Sequence, residues 1–158
     1  SRGLGDVYKR QTLQGMEIEA DLHISPDLWN VDVDTTQISQ VFQNLLINAA
    51  QSMPGGGVVE ILARNAHLGA ESGIPLKAGR YVRIDFKDHG VGIPQELMRK
   101  IFDPYFTTKK MGSGLGLAST FSIVKGHNGY ITVKSRLQMG STFSIYLPAS
   151  ERKLPDEE

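Results

Sequence analysis

The chain reads as an α/β protein, a two-layer sandwich with a mixed five-stranded sheet and about three helices on one face. Three observations carry that reading. Residues 81–87 alternate, with Val82, Ile84 and Phe86 on one side and Arg83, Asp85 and Lys87 on the other. Ile38, Val41, Phe42, Leu45, Leu46, Ala49 and Met53 recur at i, i+3, i+4, i+7, the stripe of a helix that buries one face. Strand-like and helix-like segments interleave in mixed order, which suits helices layered on one side of a sheet.

The elements follow in order. Residues 16–24 alternate acidic and apolar (Glu17, Ile18, Glu19, Ala20, Asp21, Leu22) as a strand, broken by Ser25-Pro26-Asp27. Asp34 is placed to cap the long helix, with Gln37 as its capping-box partner, and Pro54-Gly55-Gly56-Gly57 ends it. Residues 58–64 are β-branched enough for a strand, and 66–79 read as a loop. After the 81–87 strand, Pro94 opens a short helix running to Ile101. Residues 102–113 have no period and read as a mobile segment. Leu115 to Lys125 is helical, and Tyr130–Ser135 with Thr142–Leu147 form a hairpin around Gly140. The charged segment 150–158 reads as a tail or linker. No internal repeat is present.

One stretch stands apart. Asp6-Val7-Tyr8-Lys9-Arg10-Gln11 is what a common transposon-derived sequencing adapter encodes in one frame. Residues 1–11 are therefore read as a scar and set aside, leaving 12–149 as the domain and implying a longer parent.

Composition narrows the function. The 158 residues suit one domain with a real core, and Lys+Arg equals Asp+Glu at 17 each, so no global basic surface directs the chain to nucleic acid. Cysteine is absent, which excludes disulfides and thiolate metal sites and fits a reducing, cytoplasmic setting. No apolar run approaches the ~20 residues of a membrane span, so the fragment is expected to be soluble with no direct membrane contact.

Three stretches carry chemistry. Asn44 and Asn48, one turn apart, share a helix face although asparagine is a poor helix former. Solvent exposure or loop capping is the plain explanation; the functional one is an amide oxygen offered to Mg²⁺, which accepts hard donors and retains substrate phosphates in its shell. Asp88 falls by parity on the inward face of the 81–87 strand, where a carboxylate needs partners. An adenine amine is one such partner, and Gly90 and Gly92 leave room for a flat base; a turn residue is the alternative. The run Gly112-Ser113-Gly114-Leu115-Gly116-Leu117 leads into a helix, where free N–H groups and the dipole favour phosphate, unless it is a plain flexible loop. Lys109 and Lys110 add charge nearby or are simply solvated. Phe102 and Phe106 read as anchors at the base of a lid. His23, His67, His89 and His127 lack metal-ligand spacing and read as structural or surface residues.

With these motifs in this order, the chain resembles the catalytic, ATP-binding domain of bacterial sensor histidine kinases, whose GHKL fold is shared with type II topoisomerases and heat-shock chaperones. The resemblance covers residues 16–148. It implies ATP and Mg²⁺ as cofactors, with Asn44 and Asn48 as the catalytic asparagine box. Asn48 is then the expected Mg²⁺ ligand, and Asn44 supports metal and phosphate. Asp88, Gly90 and Gly92 match the first glycine box, with Ile93 beside it. Ile101 to Phe106 matches the phenylalanine box, and Phe106 is taken into the nucleotide site. Gly112, Gly114 and Gly116 match the second glycine box, carrying Ser113, Leu115 and Leu117 with it. Gly140 to Phe143 matches the terminal Gly-x-Thr box, which sets Thr142 near the adenine.

Departures from the family pattern sharpen the expectation. Where hydrolysing relatives carry a glutamate that activates water, this chain has Asn44, which cannot act as a general base; that favours phosphoryl transfer over hydrolysis. Gln51 stands where many family members carry a basic residue, leaving Lys109 to supply charge. The implied partners are a helical dimerisation and phosphoacceptor domain of the same parent, a response-regulator receiver domain, and a second copy of the parent in a homodimer. The alternatives are a GHKL ATPase module, an anti-sigma-type serine kinase and a non-enzymatic binding domain.

Overall fold

The computed structural model describes residues 7–13, 15–104, 106 and 116–152. Six strands form one sheet: β1 (Val7–Thr12), β2 (Ile18–Ile24), β3 (Gly57–Leu68), β4 (Gly79–Asp88), β5 (Tyr130–Arg136) and β6 (Gly140–Pro148). Their spatial order is β1-β2-β3-β4-β6-β5. Among the described residues only the β2–β3 pairing is parallel, so the sheet is mixed as expected. Two helices, α1 (Thr35–Ser52) and α2 (Gly116–Gly126), pack against each other and against the central strands.

β4 turns Val82, Ile84 and Phe86 inward, as their alternation predicts. Val82, Ile84 and Phe86 are buried with Phe143 and Ile145 of β6, Ile131 of β5, Val41 and Leu45 of α1, and Val124 of α2. A second cluster of Ile18, Ala20 and Val59 receives Ala49 and Met53 from the C-terminal half of α1. The α1 stripe therefore spans both clusters, and this fixes the rotation of the helix over the sheet.

Asp34 caps α1 by accepting a hydrogen bond from the Gln37 N–H at 3.0 Å. The reciprocal half of the capping box is replaced: the Asp34 N–H donates to His127 Nε2 at 3.1 Å. His127, at the end of α2, thus ties the two helices together.

The structure differs from the expected element count in three places. Residues 7–12, of which 7–11 fall in the segment read as a scar, form the edge strand β1, paired antiparallel with β2 and fastened by Arg10 to Asp21 at 2.6 and 2.8 Å. Their alternation has one polar residue after another on both faces, which hides a strand from a hydrophobic-period test. The expected 66–79 loop is shorter, because β3 and β4 stay paired as far as Leu68 and Gly79. The short helix after Pro94 is a single 3₁₀ turn, Gln95–Leu97, so only two α-helices are present among the described residues. No described helix is long and apolar enough to cross a membrane.

Candidate functional site

Three chain segments meet where β4 ends. The C-terminal end of α1 contributes Asn48, Gln51 and Ser52, and the segment after β4 contributes Val91 to Pro94, Leu97 and Ile101. The β5–β6 turn contributes Leu137 and Gln138, with Ser141 at the start of β6. Together with Phe106 they line a cavity of about 290 Å³, near the lower end of the roughly 300–1,000 Å³ usual for small-molecule sites. Ile93, Leu97, Ile101 and Phe106 make its walls mostly apolar, with polar groups gathered on the side of α1 and β6. Such a lining suits a group with apolar faces and a polar edge.

Asp88 lies directly beneath that polar side and is 3% exposed. Its Oδ1 accepts three hydrogen bonds: from the Gly90 N–H at 3.0 Å, the Ser141 N–H at 3.2 Å and the Ser52 hydroxyl at 3.2 Å. The turn-residue explanation is thus realised through Gly90, yet it uses only one oxygen. Oδ2 accepts nothing from the described residues. Burial pushes the Asp88 carboxyl above the usual carboxylate range, opposed by the Gly90, Ser52 and Ser141 hydrogen bonds and by neighbouring His89. Asp88 does not itself line the cavity; it sits behind Ser52 and Ser141, which do, and its Oδ2 is a buried acceptor without a donor among the described residues.

The two glycines act differently from the sequence expectation. A Cβ on Gly90 would stand 2.1 Å from the Ser52 carbonyl oxygen, and one on Gly92 would stand 2.0 Å from the Arg136 carbonyl oxygen. Gly92 also holds a φ of +76°, which side-chain-bearing residues rarely adopt. Between them Val91 bonds on both sides: its N–H donates to Ser52 O at 3.0 Å, and its carbonyl accepts from Gln138 N–H at 2.7 Å. The glycines let this loop seat against the end of α1 and the β5–β6 turn. Only Gly92 borders the cavity.

The asparagines divide their roles. Asn48 lines the cavity, half-buried, and its amide has no hydrogen-bond partner among the described residues. Asn44 does not line it. Its Nδ2 donates to the Gly116 carbonyl at 3.0 Å and to Thr120 Oγ1 at 3.4 Å, and its Oδ1 accepts from Gln40 Nε2 at 2.8 Å. No cluster of three or more His, Cys, Asp or Glu side chains suited to a metal exists among the described residues. A single free amide oxygen fits a Mg²⁺ ion that brings phosphate and water ligands with it, not a metal caged by protein alone.

Of the residues expected to bind nucleotide, Gln51, Ile93 and Phe106 line the cavity with Asn48 and Gly92. Thr142 does not. It pairs with Lys87 on β4 and faces away from the helices, whereas Ser141 pairs with Asp88 and faces the cavity. Leu117 is a core residue, 7% exposed, and Gly116 begins α2 beside Asn44. Lys109, Gly112, Ser113, Gly114 and Leu115 lie outside the described residues. Ser52 and Ser141 were missed. Ser141 was recoverable from parity, two residues before the inward Phe143; nothing in the sequence marks Leu137 at a hairpin tip as a wall.

The profile of the family described as "Histidine kinase-, DNA gyrase B-, and HSP90-like ATPase" matches residues 33–151. The chain belongs to this ATPase family. Within it, the catalytic ATP-binding domains of sensor histidine kinases are the members it resembles in sequence and fold. The sensor kinase CckA of Brucella abortus is 38% identical over 141 residues, covering 86% of this chain and 15% of CckA. The sensory histidine kinase/phosphatase NtrB of Rhizobium meliloti is 37% identical over 148 residues, covering 89% of this chain and 38% of NtrB. The chain thus spans well under half the length of these relatives. Among solved structures, the catalytic domain of the histidine kinase ThkA in a nucleotide-free form superposes with a TM-score of 0.68 at 31% identity, over 85% of this chain and 80% of that one. Full-length ShkA in complex with AMPPNP gives 0.68 at 25% identity, over 87% of this chain and 27% of that one. The described fold is the histidine-kinase catalytic fold of this ATPase family, with ATP as its ligand class.

Proposed function

We propose that this domain binds Mg·ATP in the cavity between α1 and the β4 end, and in its parent delivers the γ-phosphoryl group to a histidine of a separate helical domain. The observation that carries the reading is the mostly apolar cavity edged by Asn48, Gln51, Ser52 and Ser141, with buried Asp88 behind the two serines and its Oδ2 accepting nothing from the described residues. An adenine amine supplies the missing donor, while Ile93, Leu97 and Phe106 cover the faces of the base. The fold-related ShkA is in complex with AMPPNP, which supports a nucleotide as the ligand.

Asn48 then offers its amide oxygen toward the phosphates. Bound Mg²⁺ would supply charge neutralisation across the β- and γ-phosphates. Asn44 supports the arrangement by holding the start of α2, and Lys109 with the Gly112–Leu117 run is assigned to the phosphates on the sequence argument alone. Thr142 is proposed to act through its strand, and Gln51 through the ribose or phosphate side of the cavity. No carboxylate or imidazole lines the described cavity to activate water. Transfer to an incoming imidazole needs no such base, because a neutral imidazole already carries its lone pair.

The remaining parts of the reading are a cytoplasmic setting, a homodimeric parent and a response-regulator receiver domain as the next phosphoryl acceptor. The test is twofold. Calorimetry on the chain is expected to show ATP binding strengthened by Mg²⁺, with negligible hydrolysis. Adding a helical domain from a close sensor-kinase relative is expected to yield acid-labile, base-stable phosphohistidine. Vigorous hydrolysis by the isolated chain would instead favour an ATPase module, and phosphoserine on an added partner an anti-sigma-type kinase.

A further inference from the structure

Ser135 sits on β5 behind the cavity, and its hydroxyl is the hub of three contacts. It receives the Ile93 N–H at 2.8 Å, reaches the Gly140 carbonyl oxygen at 3.1 Å, and meets the Ser141 hydroxyl at 2.7 Å. Two of these have a direction fixed by chemistry: an amide N–H can only donate, and a carbonyl oxygen can only accept. Ser135 has one proton. If it went to Ser141, the Ser135 and Gly140 oxygens would face each other at 3.1 Å with no hydrogen between them. If it goes to Gly140, the Ser141 hydroxyl donates back to Ser135, and all three contacts become hydrogen bonds at once. The second pattern leaves no oxygen pair uncompensated.

That pattern has a consequence at the cavity wall. Ser141 spends its only proton on Ser135, so it turns lone pairs toward the ligand. Its own N–H is committed to Asp88 Oδ1. Asp88 Oδ2, just behind the lining, accepts nothing from the described residues and is the second acceptor of this region.

We infer that Ser135 is a specificity-determining positioning residue: by locking the Ser141 hydroxyl as an acceptor, it makes the base-recognition floor accept-only and so selects a purine bearing a 6-amino group over one bearing a 6-carbonyl. The inference rests on the nucleotide reading given above. An adenine amine carries two N–H groups for two acceptors. A 6-carbonyl purine has only its N1–H to donate and turns the carbonyl oxygen toward the remaining acceptor, and a buried acceptor facing an acceptor is costly. Ser135 touches no ligand itself; it acts through Ser141.

The experiment compares ATP with inosine triphosphate, both with Mg²⁺, by calorimetry on the 158-residue chain and its variants. The unaltered chain is expected to prefer ATP. Ser135→Ala frees the Ser141 hydroxyl to rotate and donate to the 6-carbonyl, so the ATP-to-ITP affinity ratio is expected to fall by about tenfold. Ser135→Thr keeps the hydroxyl and is expected to keep the ratio. A merely structural Ser135 would weaken both nucleotides alike in Ser135→Ala, leaving the ratio unmoved, and that result overturns the inference. Should Ser135→Ala fail to fold, Ser141→Ala removes the oriented oxygen and must narrow the same ratio; an unchanged ratio there also overturns it. Absence of ATP binding by the unaltered chain would sink the nucleotide reading itself, an outcome distinct from binding without discrimination.

Discussion

Asn44 on α1 donates from Nδ2 to the carbonyl oxygen of Gly116, 72 residues away at the first residue of α2. The same carbonyl also accepts the Thr120 hydroxyl at 2.8 Å, so losing Asn44 does not orphan it. Asn44→Ala is therefore expected to lower stability by only about 0.5–1.5 kcal/mol, the usual net worth of one such bond. Its larger effect should fall on the nucleotide, because the start of α2 loses its tie to the helix that carries Asn48. Urea unfolding alongside Mg·ATP calorimetry checks the split. A stability loss with unchanged nucleotide affinity would confine Asn44 to the scaffold.

Asn48 is expected to show the converse. Its amide has no partner among the described residues, so Asn48→Ala should leave the unfolding midpoint nearly unchanged. Affinity for ATP in the presence of Mg²⁺ should drop by about tenfold or more, whereas affinity in EDTA should not. Equal losses in both conditions would show that Asn48 contacts the nucleotide directly and not through the metal.

Gly90 tests the seating of the loop. With Ser52 backbone 2.1 Å from any added Cβ, the end of α1 or the loop has to move. Gly90→Ala is expected to cost about 1–3 kcal/mol from overpacking, and to abolish nucleotide binding because the shift displaces Val91 and the Asp88 turn together. Thermal unfolding and a fluorescent-nucleotide titration report the two effects. Ser52→Ala does not rescue it, since the closest obstacles include the Ser52 carbonyl oxygen as well as its hydroxyl.

What the sequence revealed and what it hid follow from range. The α1 stripe, the Asp34 cap and the inward turn of Val82, Ile84, Phe86 and Asp88 were legible because periodicity and capping are local. The asparagines, Asp88 and the glycine boxes were legible as motifs. Their division of labour was not: Asn44 faces α2 because α2 lies beside α1, and Gly90 is small because Ser52 arrives from 38 residues away, facts that no window of sequence contains. Thr142 illustrates the strictness of strand parity. The residue that the Gly-x-Thr box sets near the adenine lies on the face away from the cavity, and the inward position belongs to Ser141.

Asp88 makes binding pH-dependent. Its folded-state carboxyl is raised, so between the ordinary carboxylate value and the raised one the native chain holds a proton that the unfolded chain has already released. Between the ordinary carboxylate value and the raised one, stability therefore falls as pH rises, and the penalty is complete above the raised value. Nucleotide acts in the opposite sense, because an amine donor favours the ionised oxygen. ATP affinity is expected to weaken as pH drops through the raised Asp88 value, and binding there should release a proton. Calorimetry in buffers of different ionisation enthalpy detects that proton. Asp88→Asn should remove both the proton release and most of the affinity, while raising stability at neutral pH.

The edge strand offers a separate test. Arg10 hydrogen-bonds Asp21 and holds its carboxyl below the usual range against the opposing effect of burial. A depressed carboxyl contributes stability above its unfolded value that is lost as pH falls through the folded one. Removing residues 1–12 should therefore lower the thermal midpoint at neutral pH and flatten the acid side of the stability curve, where Asp21 would regain an ordinary titration. No residue of β1 lines the described cavity, and β2 remains paired with β3. ATP affinity of the trimmed chain is accordingly expected to equal that of the full chain. If trimming unfolds the domain or weakens nucleotide binding, residues 7–12 belong to its structural unit, and the adapter-like reading of that segment must be abandoned.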